Sequence, residues 1–201
     1  MSVLMDSAIR PFAPASAWVA RFTPLIGAGA RVLDVACGGG RHLRHFLDRG
    51  CAVTGVDIDL RGVADLEGRP WVTLRGLDLE NGNPWPAELT GFDAIIVTHY
   101  LHRPLLPSLA GALRPGGFLI YETFAMGNQR HGRPSSPGFL LRNGELLGLA
   151  VAEGLQVVAF EQGEVSSPKA AVIQRLCARR PTGPAPDLQG DPEPVPLPPA
   201  G

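Results

Sequence analysis

Lysine is almost missing from this chain: Lys169 stands alone, and arginine supplies nearly all of the positive charge. Genome composition accounts for that bias more economically than function does. With 18 basic against 19 acidic residues, the formal net charge is −1. A protein that tracks a nucleic-acid backbone needs a clearly basic face, so no nucleic-acid partner is expected. Cysteine is scarce too. Cys37, Cys51 and Cys177 are odd in number and lack the spacing of a disulfide framework or a ligand set, which reads as reduced thiols in a cytoplasmic protein. No apolar run approaches the ~20 residues of a membrane-spanning helix. Met1–Asp6 shows no basic segment leading into an apolar one, so neither a membrane nor a secretory leader is expected. What remains is 201 residues, 45% hydrophobic and 18% charged, enough for one globular domain with a sizeable core.

The most informative stretch is Arg31-Val-Leu-Asp-Val-Ala-Cys-Gly-Gly-Gly40. It is an apolar strand that carries one acid, Asp34, and runs straight into a glycine turn. A carboxylate in such a strand is costly unless a polar or cationic group meets it. Consecutive glycines let the backbone pass close to a ligand. About twenty residues on, a second strand, Cys51–Val56, also ends in an acid, Asp57. Two acids at neighbouring strand ends beside a glycine turn describe a place for a small, partly cationic molecule.

Along the chain, short strands alternate with helical stretches, the pattern of a parallel sheet covered by helices. Residues 1–30 form a lead-in, with a helix over 15–26 interrupted near Pro24. Strands are expected at 32–36, 52–56, 71–77, 92–97 and 118–123, and helices at 41–49, 60–67, 105–113 and 145–152. The 41–49 helix aligns Leu43, Phe46 and Leu47 and stops at Gly50, with His42 and His45 read as surface residues. The run Phe92–Val97 is nearly uninterrupted and therefore central. Pro115-Gly-Gly117 reads as a turn. Residues 125–137 make a long irregular segment, of a length that belongs to lids or loose loops. The runs at 155–160 and 170–178 are joined too tightly for a helical crossover and should pair antiparallel. The domain proper spans 31–180. From 181 to 201 the chain is Pro-rich and reads as a disordered tail without a catalytic role.

In this order the motifs resemble those of the class I S-adenosylmethionine-dependent methyltransferases. The matching segments are Leu33-Asp34-Val-Ala-Cys-Gly38-Gly-Gly40, Val56-Asp57, Leu77-Asp78-Leu-Glu80, Gly91-Phe92-Asp93-Ala-Ile-Ile-Val97 and Leu113-Arg-Pro-Gly-Gly117. The likeness departs at Ala36, where the family has its first glycine. It implies an α/β, Rossmann-like, doubly wound seven-stranded sheet, mostly parallel with a C-terminal antiparallel hairpin. It also implies S-adenosylmethionine as cofactor, held by Asp34, Ala36, Gly38, Gly40, Asp57, Ile58, Asp78 and Leu79. Asp34 suits the ammonium group. The backbone N–H groups after Gly38 suit the carboxylate, and Asp57 the ribose diol. Ile58 suits the adenine face, and the resemblance puts Asp78 and Leu79 at its edge. A more local likeness, Phe139-Leu-Leu-Arg-Asn-Gly144-Glu145-Leu146, is similar to the small tellurite-resistance methyltransferases.

Strand four runs into Thr98-His-Tyr-Leu-His-Arg103, so this segment stands where a methyl acceptor approaches. In-line methyl transfer depends mostly on holding two reactants aligned and dry. A thiol or chalcogen oxyanion needs little more. An oxygen or nitrogen acceptor benefits from a base, for which His99 is the candidate, with Tyr100 beside it. His102, Arg103 and Arg133 are the candidate substrate contacts, since arginines in a lid suit an anionic acceptor. His99, His102 and Tyr121 lack a convincingly spaced further ligand, so no metal is expected. The expectation is methyl transfer to a small-molecule acceptor. Three alternatives stay open. An NAD(P)-binding oxidoreductase is disfavoured because Asp34 would repel a pyrophosphate. A non-catalytic adenosylmethionine-binding module is kept open by Ala36. A nucleic-acid methyltransferase lacks support, having neither a basic face nor an Asn/Asp-Pro-Pro-Tyr motif after strand four.

Overall fold

A computed structural model describes residues 13–183 and 194–199. Its centre is one seven-stranded sheet in the order β3-β2-β1-β4-β5-β7-β6. β1 (Arg31–Val35), β2 (Ala52–Asp57), β3 (Val72–Gly76), β4 (Phe92–Thr98) and β5 (Leu113–Phe124) run parallel. β7 (Ala171–Arg179) lies antiparallel between β5 and β6 (Gln156–Val165). The chain steps outward from β1 to β2 and β3, then returns to β4 on the other flank of β1. That reversal leaves a crevice at the carboxyl ends of β1 and β4, where open α/β sheets bind ligands.

The sheet separates two apolar layers, as a side-chain period of two requires. Leu33 and Val35 of β1 face the layer that holds Leu109 of α3 (Leu106–Ala112) and Leu146 of α4 (Glu145–Ala152). Val32 faces the other layer, with Phe22 of α1 (Ala17–Phe22) and Leu43 and Phe46 of α2 (Arg41–Leu47). Asp34 has the parity of Val32, so β1 delivers its carboxyl beneath α2. The lead-in helix belongs to the same layer: Trp18 is buried and its Nε1–H donates to Leu176 O at 3.2 Å. Ala94, Ile95, Ile96 and Val97 are all 0% exposed, which makes β4 the central strand its sequence implies.

Three expectations change. Residues 60–67 form a 3-10 segment, Arg61–Leu66, and no α-helix. The Pro115-Gly-Gly117 stretch is no turn; it opens β5. Gly117 packs so closely that a Cβ there would lie 2.7 Å from Phe92 O. The 125–137 segment is built in. Buried Asn128 donates to Pro134 O at 3.0 Å and accepts from the Val172 N–H at 3.1 Å.

Asp93 does what a strand-entry acid does: it accepts from the Arg31 N–H at 2.7 Å and pairs with Arg114. No helix among the described residues is long and apolar enough to cross a membrane. Of the C-terminal tail, 194–199 carries neither helix nor strand, and Pro198 and Pro199 line a hollow with Trp18 and Arg21. The disorder expected over 184–193 and 200–201 lies outside the described residues, as does the reading of Met1–Asp6.

Candidate functional site

The turn after β1 is tight for two separate reasons. Ala36 adopts a left-handed backbone, φ +55°, at roughly 1–2 kcal/mol for a residue with a Cβ. The alanine at this position thus holds a backbone conformation that glycine favours. Gly38 borders open space, with nothing within 4 Å of where a side chain would begin. Gly40 does not. A Cβ there would lie 2.4 Å from Val63 Cγ1, so this glycine admits the 61–66 segment and starts α2; it does not line a cleft. The turn's N–H groups are also less free than the sequence suggests. Gly38 donates to Asp57 Oδ2 at 2.8 Å and Gly40 to Cys37 O at 2.9 Å. Neither N–H is open to a ligand carboxylate. Burial pushes the Cys37 thiol up to about 12, so it is no nucleophile.

Beside the turn opens a cleft of about 440 Å³. Ala36, Asp57, Ile58, Asp78 and Leu79 line it, joined by Tyr100. Leu77 and Glu80, the two ends of the Leu77-Asp78-Leu79-Glu80 motif, complete the wall. Asp57 is fixed from two sides, because its Oδ1 also accepts from the Asp59 N–H at 3.0 Å. Asp78 accepts from the Glu80 N–H at 2.9 Å, an Asx turn that sets the loop after β3. Ile58 is 72% exposed, an aliphatic surface standing free in the cleft.

Asp34 lies below. It pairs in register with Gly55, so Asp57 is two residues further along the next strand on the same face, about 7 Å on. Asp34 is 1% exposed and its Oδ2 has no hydrogen-bond partner. Burial pushes its pKa up, opposed by His42 and Arg41. His42 is buried too, which corrects its reading as a surface residue. Its Nε2 accepts from the Ser16 N–H at 3.3 Å, leaving the protonated Nδ1 toward Asp34 Oδ1 at 3.8 Å. The i, i+4 spacing to buried Phe46 was the available signal. His45 is half-buried, bonded to Thr23 Oγ1 at 2.8 Å, and burial lowers its pKa to about 4.

At the end of β4 two consecutive residues part. His99 has a left-handed backbone, φ +55°, and its ring stacks on Phe124 at 5.1 Å between centroids. Burial and the Arg41 charge lower its pKa. The imidazole is thereby held neutral, the form that accepts a proton. Tyr100 turns the other way, into the cleft. Its buried hydroxyl has no well-formed hydrogen bond, and burial together with Glu80 raises its pKa. It stays a phenol, able to donate but unsuited to act as a base. The two residues thus line different cavities.

Arg103 is held by the segment before α4. It donates to both Glu145 oxygens at 2.6 and 2.9 Å, to Gly138 O at 2.8 Å and to Leu140 O at 2.9 Å. It clamps that segment with four of its five N–H groups. His102 stands near Glu80, Nδ1 to Oε2 4.0 Å. Arg133 lines a second cavity with His99, across the end of β5. Buried Glu122 and its partner Arg175, 2.5 Å apart, belong to that cavity too. Arg175 escaped the sequence reading; the acid between Tyr121 and Thr123 in an apolar strand was the clue. Among the described residues no three His, Cys, Asp or Glu side chains are grouped to hold a metal ion.

An orphaned buried carboxylate oxygen, an open glycine, two acids at strand tips and a free aliphatic surface fit a ligand that joins an ammonium, a diol and a flat base. S-adenosylmethionine has those groups. Fold and site together resemble those of the class I S-adenosylmethionine-dependent methyltransferases. Residues 32–117 match the model of the methyltransferase-domain family. The chain is 35% identical over 111 residues to the tRNA U34 carboxymethyltransferase of Methylococcus capsulatus, covering 49% of this chain and 33% of that protein. It is 36% identical over 104 residues to a ubiquinone biosynthesis O-methyltransferase of Xanthomonas oryzae pv. oryzae, covering 48% and 44%. A trans-aconitate 2-methyltransferase of Methylobacterium nodulans is 36% identical over 113 residues, 54% of this chain and 43% of that one. The matches thus span less than half the length of these relatives. Among solved structures, TehB from Haemophilus influenzae superposes with a TM-score of 0.66 at 19% identity, covering 86% of this chain and 64% of that one. The cyclase SpnF superposes with 0.63 at 20%, covering 83% and 79%. At such identity the likeness is one of fold alone, and one fold hosts several chemistries.

Proposed function

We propose that this protein transfers a methyl group from S-adenosylmethionine to a small-molecule acceptor. The observation that carries the reading is the single cleft in which Asp57, Ile58, Asp78 and Leu79 meet Ala36 of the turn after β1. When bound, the sulfonium supplies an electrophilic methyl. The chain's residues do the rest. Asp57, oriented by two backbone N–H groups, keeps lone pairs for a ribose diol. Ile58 and Leu79 pack on adenine, with Asp78 at its edge. Asp34, with His42 behind it, draws the ammonium toward the turn. His99 takes the proton of an oxygen or nitrogen acceptor; a thiol or chalcogen oxyanion would need only alignment. Three free, buried cysteines support a reducing, cytoplasmic setting.

A dinucleotide fits less well, because Gly38 and Gly40 already use their N–H groups and Asp34 adds negative charge beneath the turn. Calorimetry tests the reading. Adenosylmethionine should bind, and NAD and NADP should not. Asp57→Ala should weaken adenosylmethionine by about 1–3 kcal/mol, the loss of a charge-assisted pair. Equal affinity in the variant removes the ribose assignment, and preference for NAD removes the proposal. A transfer assay with thiols, selenite, small acids, amines and tRNA then separates the acceptors. Binding without transfer to any of them would favour a cofactor-binding module.

A further inference from the structure

Beyond His99 lies the second cavity, about 210 Å³, between the end of β5, the 125–137 segment and the β6–β7 hairpin. Its wall is apolar, with Phe124, Val165, Pro168 and Ile173. The Phe124 ring, only 22° from coplanar with His99, makes a flat floor. The rim is cationic and unevenly balanced. Arg175 is neutralised by Glu122 and Glu161, and His131 faces Glu164 at 3.3 Å. Arg133 and the solitary lysine, Lys169, make no ion pair or hydrogen bond among the described residues. They come from separate segments yet converge. A Cβ at Gly132 would lie 3.9 Å from Lys169 Nζ. Two unpaired cations over an apolar hollow lack only an anion with an apolar body.

We infer that this cavity holds the methyl acceptor, and that the acceptor is a small carboxylate with a flat apolar body whose hydroxyl or amine faces His99. The inference rests on the methyl-transfer reading and deepens it. The carboxylate meets Arg133 and Lys169 at the rim, and the body lies on Phe124. At about 210 Å³ against ~30 Å³ per water, the space takes about seven water-sized groups. His99 and Tyr100 are adjacent in the chain, and the backbone at His99 is left-handed. His99 lines this cavity while Tyr100 lines the cofactor cleft. The acceptor's oxygen or nitrogen bonds to the methyl carbon as the carbon–sulfur bond breaks, sulfur keeps that electron pair, and the acceptor proton passes to His99.

Ligand titration by NMR on the whole chain tests this, with benzoate, its neutral twin benzamide, and selenite as an anion without an apolar body. Benzoate should bind at least tenfold more tightly than benzamide and selenite. The double variant Arg133→Gln/Lys169→Gln, at two exposed positions, should weaken benzoate at least tenfold and leave benzamide unchanged. Each single variant should fall between, with wild-type melting temperature. Equal binding of acid and amide, an unaffected double variant, or tighter selenite binding overturns the inference. Adenosylmethionine is titrated in parallel. If it fails to bind while benzoate keeps its Arg133 and Lys169 dependence, the methyl-transfer reading falls and the anion site stands. If adenosylmethionine binds and benzoate does not, the acceptor inference alone falls.

Discussion

Gly40 and Asp34 show how much a single position decides in this turn. A methyl at Gly40 would meet Val63 at 2.4 Å on a backbone of φ +71°. Gly40→Ala should therefore lower stability by about 2–4 kcal/mol, strain and overpacking together. Urea unfolding measures it, and adding Val63→Ala should recover the packing part. Asp34 acts through charge. Its folded pKa is raised by burial above the ordinary 3.8. The native state therefore holds the proton longer than the unfolded chain, and this stability is lost as pH rises above that value. Asp34→Asn should flatten the fall of the cofactor-free melting temperature between acid and neutral pH while weakening adenosylmethionine. An unchanged slope would mean that the buried carboxyl is compensated by a partner other than His42. Asp34 and Asp57 were legible as acids at neighbouring strand ends because charge stands out in an apolar strand. The burial of His42 was not legible, since a histidine in the first turn of a helix looks the same buried or exposed.

Among the elements, α4 was readable residue for residue, because its apolar spacing and the glycine before it are local signals. Its support was not. Gly144 offers no capping side chain; buried Gln174 of β7 accepts from the Leu146 N–H at 2.7 Å instead. Arg103 supplies the second tie, through Glu145 and two carbonyls. Arg103→Ala should cost roughly 1.5–3 kcal/mol in thermal or chemical unfolding, with adenosylmethionine affinity intact. A raised acceptor KM without loss of stability would restore Arg103 as a substrate contact. The start of β5 misled for a related reason. Pro-Gly-Gly is turn chemistry in any short window, and only the close approach to Phe92 makes it a strand edge.

At the scale of the molecule, the seven-strand order puts the cofactor cleft and the hollow by the tail in separate places. The cleft shares no lining residue with the surface that holds Trp18, Arg21, Pro198 and Pro199. Deleting residues 184–201 should accordingly leave adenosylmethionine affinity unchanged by calorimetry. A tenfold loss would put the tail over the cleft. From sequence alone came the class of fold, the alternation of strands and helices, the glycine turn and the acids beside it. Those follow from period, turn chemistry and the rarity of charge in apolar strands, all properties of neighbours along the chain. Tertiary structure alone decided that Asp34 lies beneath α2, that Arg103 is bound to Glu145, and that His99 and Tyr100 open onto different cavities. These depend on strand parity, on which distant segment arrives alongside, and on one left-handed residue, and none of the three leaves a mark in a short window of sequence.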